Sequence, residues 1–174
     1  MQSDSNPQKT SWYILKTKSN HEKKVFNQLM DKDFQAFLPL YETIRLWSDR
    51  KKKVEIPLIP TYVFVKCAES ELIKAAQTTG VAWIMRDTRN YAIVREHEIQ
   101  NLRIFLSEKF DNQSIDLDKY ETGEIVKVTH GPFQGMIGTA MHLQSEYRVR
   151  IEISSLGANF TVSVPKSQLE KVTN

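Results

Sequence analysis

The tract Ser107–Lys119, SEKFDNQSIDLDK, constrains this chain more than any other feature. It is polar and acid-rich, and its apolar residues Phe110, Ile115 and Leu117 follow neither a helical nor a strand period. Such a segment reads as a linker, so no single core runs through the chain. Two small domains are expected instead, at 12–106 and 120–174, with 107–119 between them and Met1–Ser11 as a disordered polar tail. A length of 174 residues allows this, because domains commonly run ~100–150 residues and smaller ones fold alone. Charge divides the same way. Met1–Ser107 holds 17 basic and 12 acidic residues, Glu108–Asp118 sums to −3, and Lys119–Asn174 to +1 within a total of +3.

The first half mixes elements. Trp12–Thr17 is a short apolar run suited to a buried strand. Ser19-Asn20-His21-Glu22 fits a capping box, and Val25, Phe26, Leu29 and Met30 then repeat at helical spacing. Gln35–Trp47 and Val54–Val65 are rich in β-formers and predict a long hairpin with a basic tip at Ser48–Lys53. Pro57 and Pro60 make its return strand irregular or place it at an edge. Glu69–Thr79 reads as a short helix ended by Gly80, and Asp87-Thr88-Arg89-Asn90 as a turn between Ala82–Arg86 and Tyr91–Val94. Ile99, Leu102, Phe105 and Leu106 mark a final helix. The second half is all β: Glu124–Thr129, Met136–His142, Tyr147–Ser154, Phe160–Val164 and Leu169–Val172 are five short strands separated by turn residues. The fold class is therefore α+β, an antiparallel sheet flanked by helices followed by a small five-stranded barrel.

Several function classes find no footing. The single cysteine, Cys67, excludes an internal disulfide or a multi-cysteine zinc site. His21, His97, His130 and His142 are scattered without metal-ligand spacing, and no glycine loop for phosphate is present. No apolar stretch approaches the ~20 residues that span a bilayer, and the first residues lack a secretory apolar core. A soluble, cytoplasmic, monomeric protein without catalytic residues, metal or cofactor is expected.

Particular stretches then resemble a known family. Trp12-Tyr13-Ile14-Leu15, the helix with His21-Glu22-Lys23-Lys24, Ile59-Pro60-Thr61-Tyr62-Val63-Phe64-Val65 and Thr79-Gly80-Val81 resemble the N-terminal domain of the NusG transcription elongation factors. Gly123-Glu124-Ile125-Val126-Lys127-Val128 followed by Gly131-Pro132-Phe133-Gln134-Gly135 resembles a KOW domain, a small SH3-like barrel. Within the family the chain looks like the specialised RfaH-like paralogues, being short and without inserted segments. Such paralogues antiterminate selected long operons, often for surface polysaccharides.

The resemblance implies an apolar face that grips the clamp helices of the largest RNA polymerase subunit, formed by Tyr13, Ile59, Pro60, Tyr62 and Phe64 with Ile84 nearby. Strand alternation puts Tyr62 and Phe64 on one face and Val63 and Val65 on the other. The valine face suits the core and leaves the aromatic face for a partner; the competing reading is that all four are ordinary core residues. Two basic groups, Lys16, Lys18, His21, Lys23 and Lys24, and Arg50, Lys51, Lys52 and Lys53 beside Arg45, would lie near upstream or non-template DNA. The plainer alternative is a solvated tip that prevents edge pairing. Glu71–Ala75, reading Glu-Leu-Ile-Lys-Ala, departs from the polar motif by which specialised paralogues touch the other large subunit, and reads as an ordinary amphipathic helix. In the KOW half, Phe133 and Phe160 are candidate contacts for ribosomal protein S10, the termination factor Rho, or the first domain. Alternating Arg148–Ile153 and Phe160–Val164, with Gly157 and Pro165, predict that this half stays β. The expected function is elongation and antitermination by a non-enzyme. The alternatives are a ribosome-associated KOW protein that binds RNA, or a general factor promoting Rho-dependent termination.

Overall fold

The computed structural model describes residues 9–46, 50–107, 115–116, 123–143, 146–153, 156–164 and 166–172. The chain divides into two compact units, Met1–Val94 and Arg95–Asn174. The first is built on strand β1 (Thr10–Thr17), which pairs antiparallel with β5 (Tyr62–Ala68) on one edge. On its other edge β1 pairs with β6 (Val81–Ile84) and, further along, with β9 (Ile93–Val94). Strand β2 (Gln35–Phe37) extends the sheet beyond β5. Helices α1 (Glu22–Asp31) and α2 (Glu69–Ala76) supply Val25, Leu29, Leu72 and Ala75 to a core shared with Tyr13, Leu15, Val63, Val65 and Cys67. Each side chain of Leu or Val size buried there contributes about 1.5–3 kcal/mol of transfer free energy. The valines of β5 do face the core. Tyr13 and Val65 stand opposite one another on that face, as do Leu15 and Val63.

Local expectations hold with informative exceptions. The expected long hairpin is divided. Strands β3 (Leu40–Leu46) and β4 (Lys51–Pro57) form a separate two-stranded ribbon, while β2 and β5 belong to the main sheet. Pro57 ends β4 opposite Leu40, and the chain leaves the ribbon there because proline offers no N–H to a ladder. Residues 48–49 of the expected tip, with residue 47 before them, lie outside the described residues. The Ser19 capping box does not form: His21 is the N-cap of α1, without a side-chain cap bond, and Glu22 turns inward instead. Met30, expected on the apolar face of α1, is exposed, whereas Val25 and Leu29 are buried and Phe26 packs partly buried against the same core. Helix α2 ends at Ala76, ahead of Gly80. Gly80 has φ 106°, and a Cβ there would stand 3.0 Å from Val25 Cγ2, so glycine serves a close approach to α1. Strands β7 (Arg86–Asp87) and β8 (Asn90–Tyr91) form the small hairpin expected around Thr88-Arg89.

The second unit opens with α3 (Glu96–Ser107), which bears Ile99, Leu102 and Phe105 on its buried side. The sequence places this helix at the end of the first domain, whereas it groups here with the strands that follow. The physical tie is Asn101. Its amide donates to the Ile137 carbonyl oxygen at 2.6 Å and accepts the Ile137 N–H at 3.1 Å. The five expected strands appear as β11 (Ile125–Val128), β12 (Ile137–Leu143), β13 (Glu146–Ile153), β14 (Ala158–Ser163) and β15 (Leu169–Lys171). They form a six-stranded sheet in the order β10-β14-β13-β12-β11-β15, where β10 is Ile115–Asp116. The expected linker thus contributes a strand that pairs the edge of β14. Gly138 allows a close approach of β12 to β13: a Cβ there would collide with the Arg150 carbonyl oxygen. No helix among the described residues is long and apolar enough to cross a membrane.

Candidate functional site

The face of the β1–β5 sheet opposite the two helices carries the candidate site. Opposed residues in an antiparallel ladder share a face. The register therefore aligns Trp12, Ile14 and Lys16 of β1 with Lys66, Phe64 and Tyr62 of β5. Phe37 joins them from β2, Trp83 from β6 and Val94 from β9. Tyr62, Lys16 and Trp83 make a row across three strands at one end of this face. The Lys16 ammonium lies 4.1 Å from the centroid of the Tyr62 ring, a contact worth about 0.5–1 kcal/mol at an exposed site. Trp83 leaves 56% of its surface in solvent. A row of two aromatics around one cation can desolvate against an apolar helix and still pair with an acidic side chain on it.

The residues expected to form the gripping face do not all lie there. Tyr13 points into the helix-side core, edge-on to Tyr91 with ring centroids 6.4 Å apart. Ile84 packs against the same core. Their parity differs from that of Tyr62 across the ladder, which places them on the reverse face. Phe64 is on the correct face but is 0% exposed, tilted against Phe37 at 6.0 Å. Ile59 is also buried, while Pro60 is exposed and Tyr62 half-buried. Trp83 was not singled out by sequence reasoning, and Val81–Ile84 carries no period of two that could have done so: the ladder with β1 shifts register between Lys16 and Thr17, and Val81 and Ile84 both pack against the core.

Glu22 also differs from its expected role as a capping acid. It lies three and seven residues before Val25 and Leu29, on the same side of α1, and is buried with them. Its carboxylate accepts the Thr61 N–H at 2.8 Å. The Thr61 carbonyl oxygen accepts the Thr17 N–H, also at 2.8 Å. Thr61 has φ 68°, a left-handed conformation disfavoured for a β-branched residue. The two bonds hold the Pro60–Thr61 corner, and so fix where Tyr62 enters the sheet.

The basic residues form a broken rim. Lys18 and Lys24 are exposed, and the His21 Nδ1–H donates to the Ser19 carbonyl oxygen at 2.9 Å. Lys23 pairs with Glu55 of β4 at 3.2 Å, joining α1 to the base of the ribbon. Lys53 approaches Glu42 at 3.8 Å, a separation at which an exposed pair contributes little. Towards the tip, Arg45, Arg50, Lys51 and Lys52 are exposed. In α2, Glu71 accepts the Ala68 N–H at 3.3 Å while Leu72 and Ala75 are buried, as an amphipathic helix requires. In the second unit Phe133 is buried, and the side chain of Phe160 lies outside what is described. Burial and the nearby Glu71 push the Cys67 thiol up to about 11, which keeps it protonated and unreactive near neutrality. Among the described residues no group of His, Cys, Asp and Glu could hold a metal ion.

The family model "Transcription termination factor nusG" matches residues 10–103. The chain is 26% identical to the "Transcription termination/antitermination protein NusG" of Rickettsia bellii, an alignment covering 97% of this chain and 94% of that protein. It is also 26% identical to the protein of the same name from Helicobacter pylori, over 92% of this chain and 98% of the relative. The solved structure "Domain interaction in Thermotoga maritima NusG" matches with 22% identity and a TM-score of 0.46, covering 95% of this chain and 98% of that one.

Proposed function

The chain belongs to the NusG family of transcription factors, and from that premise we propose that it is an elongation factor that grips the clamp helices of RNA polymerase through Tyr62, Lys16, Trp83 and Pro60. It is not an enzyme. The observation that carries the proposal is the aromatic–cation–aromatic row at one end of the sheet face opposite α1 and α2, where Trp83 is exposed and Lys16 and Tyr62 are half-buried. Interfaces concentrate their energy in such aromatic anchors. A factor bound more tightly to the closed clamp than to the open one shifts the population towards the closed, pause-resistant state.

The basic rim of Lys16, Lys18, His21, Lys23 and Lys24 and the ribbon cations Arg50–Lys53 would face upstream or non-template DNA. Support comes from the exposure of Lys18, Lys23, Lys24 and Arg50–Lys53 and from the Lys23–Glu55 pair, which ties α1 to the base of the ribbon. The finer proposal is antitermination on selected operons in the manner of RfaH-like paralogues, and it rests on the sequence resemblance alone. A general role in termination and antitermination is the second reading, favoured by the name shared by the relatives. Ribosomal protein S10 or Rho would be the partner of the second unit.

Pull-down of core polymerase by the full chain tests the central proposal. Trp83→Ala with Tyr62→Ala should weaken capture at least tenfold in a protein that stays folded; unchanged capture would remove the assignment of this face. Genome-wide occupancy then separates the two finer readings, through a few operons or broad coverage.

A further inference from the structure

The β3–β4 ribbon carries a second feature that its positive charge does not explain. Ile44 and Leu46 are 61% and 79% exposed, although they are large aliphatic side chains at consecutive same-face positions of one strand. The register sets Ile44 opposite Lys53 and Leu46 opposite Lys51, so these four share a face. Arg45 and Lys52 are opposed to each other on the reverse face. Both aliphatic side chains stay mostly in solvent where they stand, and cations flank them on both faces of the ribbon.

We infer that the ribbon enters a groove of duplex nucleic acid at a distorted or melted step, with Leu46 as an apolar wedge against the bases and Ile44 behind it. This rests on the reading that the basic ribbon meets DNA, and adds how the contact is made. Charge complementarity selects the occupant. A groove presents phosphates on both walls, and a two-stranded ribbon with cations on both faces can meet both walls at once. A membrane surface instead favours cations and apolar groups segregated to opposite faces. Along a strand, two residues advance roughly 6.8 Å, about two base steps, so Leu46 and Ile44 reach the stack at separate steps. Aliphatic side chains inserted in this way unstack and kink a step, most easily where pairing is already lost.

The experiment uses the full chain at low salt with two probes, a paired duplex and the same duplex carrying a central mismatched bubble, each with 2-aminopurine beside the junction. The wild type should bind both, prefer the bubble several-fold, and raise the 2-aminopurine emission. Ile44→Thr with Leu46→Thr should abolish the preference and the emission change without altering the salt dependence. Lys51→Gln with Lys53→Gln should weaken both probes alike and lower the logarithmic salt slope by about 0.9 for each phosphate no longer neutralised. If the threonine variant keeps the bubble preference and the emission rise, the wedge is refuted while DNA binding stands. If the lysine variant binds as the wild type does, or the wild type binds neither probe, both the wedge and the DNA reading fall. Binding of anionic vesicles that depends on Leu46 and exceeds DNA binding would also overturn the assignment.

Discussion

Replacing Glu22 by Ala removes the carboxylate that accepts the Thr61 N–H at 2.8 Å and leaves that donor beneath the Pro60 corner without its partner. Hydrogen bonds to charged groups contribute about 1.5–3 kcal/mol, and an orphaned buried donor adds a desolvation cost within the same range. A loss of about 2–3 kcal/mol is therefore expected for Glu22→Ala, and about 1 kcal/mol for Glu22→Gln, which keeps an acceptor. With a urea m-value of about 2 kcal/mol/M, the midpoint should fall by roughly 1 M for the alanine variant. Thr61→Gly should do the opposite at the same corner. Glycine adopts φ 68° without the cost of about 1–2 kcal/mol that the β-branched residue bears, though it gains entropy in the unfolded chain. The glycine variant is expected to lie between neutral and about 1 kcal/mol more stable. Urea denaturation followed by circular dichroism measures both, and polymerase pull-down reads whether a loosened corner weakens the Tyr62 contact. A Glu22→Ala protein within about 0.5 kcal/mol of wild type would show that solvent replaces the carboxylate and that the corner is held by the Thr17 bond alone.

Phe64→Ala should cost about 3–5 kcal/mol because it empties a fully buried site against Phe37, whereas Trp83→Ala should stay within about 0.5 kcal/mol; equal losses in urea denaturation would contradict the assigned faces. The Cys67 thiol, raised from 9.0 to about 11, and Tyr13, raised by burial and then by Glu69, both bind their protons more tightly when folded. Stability from Cys67 is thus fully present below about pH 9 and lost as pH rises towards about 11, by at most roughly 3 kcal/mol. Cys67→Ala should flatten that decline and leave a residual slope from Tyr13, and an unchanged slope in denaturation between about pH 8 and about pH 11 would refute the contribution. Asn101→Ala should destabilise the second unit by about 2–3 kcal/mol, because the Ile137 N–H and carbonyl lose their partner. Hydrogen exchange at Ile137 should accelerate in proportion, and unchanged protection there would mean that water takes over both bonds.

Much of this molecule was legible in the sequence because its signals are local. The five strands of the second unit follow from period-two alternation and turn residues, and their observed bounds differ from the expected ones by one or two residues at most ends. The inward face of β5 follows from the alternation of Val63 and Val65 with Tyr62 and Phe64. Motifs spread over the whole chain carried the family. What could not be read locally were choices made between strands. Tyr13 and Ile84 belong to the reverse face only because of the registers that β1 forms with β5 and β6, and a register is a long-range property. Trp83 becomes a neighbour of Lys16 through the same pairing. Glu22 reads as a capping acid until Thr61 arrives with an unpaired N–H, and Phe64 reads as an exposed anchor until Phe37 packs upon it. Sequence by itself determined which segments are strands and helices, and which residue types stand on each face, because those follow from backbone period. Only the tertiary structure decided which residues of each face are closed and which aromatic residues remain in solvent, because burial depends on partners dozens of residues away.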